Sequence, residues 1–202
     1  MKLNTSKILS VIVFAQFCCT SLWFAGNAII KDLSINFNLT TEALAQLTSA
    51  VQFGFIIGTF LFAFLTITDR FSASKVFFVS AVIAGLCNLL ILQPENSLIS
   101  LSRIRFITGF FLAGIYPVGM KIASDYYEKG LGKSLSFLVG ALVLGTAFPH
   151  LLKAGVFNLN WKTIVFTTSG LSIIGGILIV FLVPNGPFYK EATHFDLSLI
   201  HI

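Results

Sequence analysis

Charge is what this sequence has least of. Of its 202 residues only 10% are Asp, Glu, Lys or Arg, while 56% are hydrophobic. Soluble domains carry roughly 25% charged residues, so the composition speaks against a soluble domain. No Asp or Glu lies in the middle of an apolar run; all fall in loops, tails or end turns. Cysteine is scarce as well. Cys18, Cys19 and Cys87 lie inside apolar runs without CxxC or metal-ligand spacing, so they are read as packing residues and no metal site is expected. Strand-like alternation is missing, which argues against an outer-membrane barrel. So is any basic cluster interleaved with stacking aromatics, which argues against nucleic-acid binding despite a net charge of +5. No nucleophile–base–acid set and no phosphate loop is visible. An enzyme reading therefore has no residues to rest on, and no cofactor is expected.

What the sequence does have is long apolar runs. Six of them meet the length of a spanning helix, about 17–25 residues: 8–30, 43–67, 76–92, 104–123, 134–152 and 163–183. Backbone groups in hydrocarbon must be satisfied within their own segment, so these runs are predicted to be helices. The fold expected is an all-α membrane protein, with residues 1–187 forming a bundle of six transmembrane helices. Residues 188–202 are read as a cytoplasmic tail from a truncated reading frame, so His194 and His201 carry no functional weight. The first run is preceded by Lys2 and Lys7, but its length and its Trp23 and Asn27 speak against a cleaved signal. Lys2, Lys7, Arg70, Lys75, Lys129, Lys133 and Lys190 fall on one face, and Lys31, Lys153 and Lys162 on the other. The positive-inside rule then puts both termini in the cytoplasm. Small residues at four-residue spacing, Ala50, Gly54 and Gly58, Ala81 and Gly85, Gly109 and Ala113, predict close helix crossings.

Polar residues inside the runs are few and patterned. Gln16, Thr20, Trp23 and Asn27 fall within about 60° of one another on the first helix. Such a stripe faces protein or water rather than lipid; it either lines a solute path or bonds neighbouring helices. Thr48, Gln52, Thr59 and Thr66 repeat the pattern more weakly on the second. Arg105 is the basic residue that enters a span. It faces a water-filled cavity or, with Arg103, snorkels to the outer surface. On a continuous helix Arg105, Gly109, Leu112 and Tyr116 form one stripe. His150, beside Pro149, is either a packing residue or a proton relay. Between the second and third runs the chain breaks into Thr68-Asp69-Arg70-Phe71-Ser72-Ala73-Ser74-Lys75, a charged turn at a membrane face.

That loop resembles the signature between the second and third helices of the major facilitator superfamily. Asp69 and Arg70 match its acidic and basic positions. Leu65 and Ser72 stand where glycines are usual, and the basic pair is reduced to a displaced Lys75. The stretch from Arg105 to Pro117 resembles the family's Arg-x-x-x-Gly element with its small residues and Pro. Gly140, Gly145 and Pro149 loosely resemble its Gly/Pro motif, and Trp161-Lys162 its Trp-Arg entry to the sixth helix. The resemblance implies inverted three-helix repeats and a missing C-terminal six-helix half across a central cavity. It implies that the first and fourth helices line that cavity, with Gln16, Thr20, Trp23, Asn27, Gln52, Arg105 and Tyr116 as candidate substrate residues. Asp69, Arg70 and Lys75 become a gating loop, and the Arg of the fourth helix is linked to proton coupling. The function expected is secondary active transport of a small polar or anionic solute, with a proton or sodium as coupling ion. The membrane implied is a bacterial inner membrane. Efflux of an apolar drug or metabolite, or a non-transporting membrane scaffold, are the alternatives.

Overall fold

The structure, a computed structural model, describes residues 5–40, 42–154, 157 and 159–189. Among these all regular structure is helical. The first apolar run becomes three pieces, α1 (Thr5–Thr20), α2 (Ala25–Ala28) and α3 (Ile30–Phe37). The second is α4 (Ala43–Phe64), and the charged loop holds the short α5 (Ile67–Arg70). The third is α6 (Ala73–Leu89), extended by a 3-10 turn over Leu90–Leu92. The fourth divides into α7 (Leu98–Leu112) and α8 (Tyr116–Tyr126). The fifth and sixth are α9 (Leu131–Lys153) and α10 (Trp161–Leu182).

Among the described residues, five stretches are long and apolar enough to cross a membrane: Ala43–Phe64, Ala73–Leu92, Leu98–Tyr126, Leu131–Lys153 and Trp161–Leu182. The first run departs from the expected continuous helix over 8–30. Its apolar helix, Lys7–Thr20, is shorter than the others, and residues 21–24 form a turn. The tail assigned to 188–202 lies outside the described residues beyond Tyr189.

Close crossings hold the helices together. α4 packs most intimately on α7, where a Cβ at Gly54 or Gly109 would collide with the backbone of Phe106 or Val51. Gly58 meets Phe110 in the same way. α1 is wedged between α9 and α10, with Gly145 against Thr20 and Gly175 against Cys19. α6 and α10 share polar contacts in place of a solvent-driven core. Asn88 Nδ2 donates to Ser169 Oγ at 2.9 Å, and Ser172 Oγ to the Ala81 carbonyl at 2.9 Å. Cys18 and Cys19 are buried and unpaired, as packing residues should be.

The two ends are tied differently. At one, Lys153 reaches the Asp32 carboxylate at 3.0 Å and joins α9 to α3, while Trp161 packs edge-on against Phe37. At the other, the segment 183–189 folds back over the bundle. Ser74 Oγ donates to the Val183 carbonyl at 2.6 Å, Tyr126 Oη to the Pro184 carbonyl, and the Phe188 amide to the Asp125 carbonyl at 3.1 Å.

Candidate functional site

The break in the first run has a local cause. Thr20 Oγ1 donates to the Gln16 carbonyl at 2.8 Å and Ser21 Oγ to the Cys18 carbonyl at 2.7 Å. Side chains that bond the preceding turn compete with the helical ladder and bend it. The amides of Leu22, Trp23 and Ala25 then reach back three residues instead of four, to Cys19, Thr20 and Leu22. Carbonyls in this tightened turn are left to find other donors.

Arg105 of α7 supplies them. Its Nη1 donates to the Leu22 carbonyl at 3.0 Å and its Nη2 to the Trp23 carbonyl. The side chain is 1% exposed, so it neither snorkels to the surface nor opens on a cavity in this structure. Planar, forked donors suit two neighbouring carbonyls as an ammonium would not. Gly26 permits the approach: a Cβ there would lie 3.2 Å from Nε.

Around this knot part of each predicted stripe meets the other, Trp23 and Asn27 with Gln52 and Thr48. Trp23 Nε1 donates to Gln52 Oε1 at 3.0 Å, and Asn27 Nδ2 to Thr48 Oγ1 at 2.6 Å. These are two polar rungs between the first run and α4. The Trp23 ring also lies against Phe55, centroids 4.6 Å apart. Gln52 is exposed and Asn27 half-buried, and Asn27 Oδ1 has no hydrogen bond among the described residues. Gln16 and Thr20 lie deeper. Both are fully buried; Gln16 lies against Gly119 and its amide has no partner among the described residues.

Tyr116 lies beyond a second interruption. The amides of Ala113, Gly114 and Ile115 bond three residues back, and Pro117 opens α8. The stripe projected from Arg105 to Tyr116 assumes a continuous helix, and this turn breaks its register. Tyr116 is half-buried at the start of α8. His150 is exposed in the last turn of α9, away from the rungs in chain position.

In the charged loop, Asp69 pairs with Lys121 of α8 at 3.2 Å. Arg70 and Lys75 line a groove beside it. Thr66, with φ 49°, makes the left-handed turn that starts the loop. Three residues of these contacts were not among the predicted site residues: Lys121, Thr48 and Gly26. Lys121 was legible as a cation near the same face. Thr48 was visible in the weaker stripe. Gly26 carried no signal, because its role depends on an arginine 79 positions later (105 minus 26).

Comparison with known proteins bears on all of this. The family model described as Major Facilitator Superfamily matches residues 12–196. The chain is similar to a bicyclomycin resistance protein homolog of Haemophilus influenzae, 23% identical over 174 residues, which cover 85% of this chain and 41% of that protein. It is also similar to the glucose/mannose transporter GlcP of Bacillus subtilis, 28% identical over 175 residues, covering 84% and 42% respectively. The chain thus spans less than half the length of these relatives.

Proposed function

The chain belongs to the major facilitator superfamily, and from that premise we propose that it moves a small polar solute across a membrane by alternating access. Members of this family are transporters, not enzymes. In this reading α1–α3 make the sixth crossing, and residues 1–187 form one six-helix bundle of two inverted repeats. A second bundle completes the cavity. The face rich in Lys and Arg is cytoplasmic, in a bacterial inner membrane.

The observation that carries the reading is the pair of rungs, Trp23–Gln52 and Asn27–Thr48. Polar groups at the edge of a spanning helix are costly unless a partner or solute meets them. Asn27, Gln52, Trp23 and Tyr116 face the solute. Arg105, with Gln16 and Thr20 behind it, holds the backbone that presents them. Because both terminal nitrogens of Arg105 meet carbonyls, a neutral polar solute fits better than an anion. The printed name of the Bacillus subtilis relative, a glucose/mannose transporter, agrees with that. Asp69, Arg70 and Lys75 bias the gate, and His150 is the candidate relay for a coupling proton. A second reading, efflux of an apolar compound, draws on the Trp23–Phe55 pair and on the resistance protein homolog.

The test is uptake and efflux in vesicles carrying the full-length protein. Asn27→Ala and Gln52→Ala should each raise KM for a hexose about tenfold, the loss of one good hydrogen bond, with protein level unchanged. Drug efflux that survives these changes but is lost in Trp23→Ala would select the second reading. Transport of neither class would leave a scaffold.

A further inference from the structure

The fourth span is two helices, and its second part, α8, has unusual surroundings. At the break, the amides of Ala113, Gly114 and Ile115 bond three residues back. Pro117 has no amide hydrogen, so the Ala113 carbonyl loses its helical donor. The break itself is pinned. A Cβ at Gly114 would collide with Ser80 Oγ of α6 and with the Phe62 ring of α4. Beyond the break, α8 lies against two polar groups that lack partners. Gln16 of α1 is fully buried, and neither end of its amide has a hydrogen bond among the described residues. A Cβ at Gly119 would collide with its Oε1. Thr59 of α4 is the second. Thr20, Thr48, Thr108 and Thr168 each donate to the carbonyl four residues back in their own helix. The Thr59 hydroxyl is buried and makes no such bond. Thr59 lines a pocket of about 140 Å³ with Pro117, Val118 and Lys121, so the α4 side of α8 is incompletely filled.

A buried polar group without a partner raises the energy of the state that holds it. Two such groups, on different neighbours, lie against the same short helix. Packed elements change between discrete arrangements rather than deforming continuously. We infer that α8 pivots about the break at residues 113–117, and that the Gln16 amide is unpaired in this state and paired in the other. The carbonyl that Pro117 frees is an acceptor of the kind the amide needs. The pivot links Tyr116, at the start of α8, to Lys121 and its partner Asp69. Gln16 is thus a positioning residue that acts on the gate through α8. This inference rests on the alternating-access reading.

The test is hydrogen–deuterium exchange of the full-length protein in nanodiscs, with no solute added. Amides of residues 116–126 should exchange about fivefold or more faster in the wild type than in Gln16→Leu, the shift expected from removing one buried unpaired group. Thr59→Val should act in the same direction. Amides of α7 and α10 should not respond. Thr168→Val, which removes a hydroxyl bonded to its own helix, should leave residues 116–126 unchanged. Gln16→Leu should melt no lower than the wild type, and should take up glucose in proteoliposomes at least about fivefold more slowly. Exchange at 116–126 that is equal in the wild type and both variants overturns the inference. So does slowing spread evenly over α7, α8 and α10. A Gln16→Leu protein that melts well below the wild type overturns it too, because the amide then carries a structural bond. The transport reading fails separately. Glucose uptake indifferent to Asn27→Ala and Gln52→Ala removes that reading and leaves the exchange result standing. A changed KM in those two variants, with no response at 116–126, removes the pivot alone.

Discussion

Arg105 is a buried cation whose two terminal nitrogens are both spent on backbone carbonyls. Two of its nitrogens close the carbonyls of a turn that Thr20 and Ser21 open. Charge alone cannot do this; the fork can. Arg105→Lys therefore tests whether geometry or charge matters. The variant keeps a cation but leaves at least one carbonyl without its donor, which should cost about 1–3 kcal/mol of stability. Thermal unfolding of the purified protein measures that loss, and KM for the solute should worsen with it as Trp23 and Asn27 lose their setting. A stable variant with an unchanged KM would show that only the charge was needed. The sequence marked Arg105 as exceptional because a cation in a span is rare. It could not reveal the partners, since backbone carbonyls carry no residue-type signal. Trp23 and Asn27 were legible as polar residues in an apolar run, although the turn at residues 21–24 breaks the continuous helix their stripe assumes; the weaker stripe holding Thr48 and Gln52 lies on the unbroken α4. That the two stripes face each other required the crossing of helices.

Elements were easier to read than their interruptions. Bilayer thickness sets a length, so α4, α6, α9 and α10 fall within a few residues of the apolar runs. The fourth run starts earlier than its apolar core suggests, at Leu98, because Ser97 and Ser100 form a capping box. That signal lay in the sequence but outside the apolar run. The turn at residues 21–24 was hidden, since hydropathy does not register which hydroxyls bond backward. The small-residue spacing, by contrast, marked the faces on which α4 and α7 cross closely, without saying which helices would meet. Its glycines are there for contact: the backbones of Val51 and Phe106 occupy the space a Cβ at Gly109 or Gly54 would take. Gly54→Ala and Gly109→Ala should each lose about 1–3 kcal/mol through overpacking. Gly170→Ala in α10, with nothing within 4 Å of the new methyl, should be neutral or gain up to about 1 kcal/mol from helix propensity. Detergent melting curves of the three variants separate contact from mere composition. A uniform response would mean that the crossing is not set by these glycines.

At the scale of the molecule, the Asp69–Lys121 pair poses a different question. It joins the loop after α4 to the middle of α8 at 3.2 Å, with side chains 42% and 26% exposed. An exposed ion pair contributes only about 0.2–1 kcal/mol to stability. Other bonds already fix this end of the bundle, from Ser74 to Val183 and from Ser72 to Asn185. The pair is thus too weak and too redundant to be needed for folding, yet it lies in the loop that resembles the family's gate. If it biases a transport state, its removal should separate stability from rate. Asp69→Asn should melt within about 1 kcal/mol of the wild type while its transport rate falls severalfold. Exchanging the charges, Asp69→Lys with Lys121→Asp, should recover part of that rate, because a reversed pair restores the attraction while disturbing the neighbours. Stopped-flow uptake in proteoliposomes beside a melting curve makes the comparison. A rate that tracks stability would make the pair structural. A rate indifferent to both variants would place the gate elsewhere in the loop, with Arg70 and Lys75 the residues left to carry it.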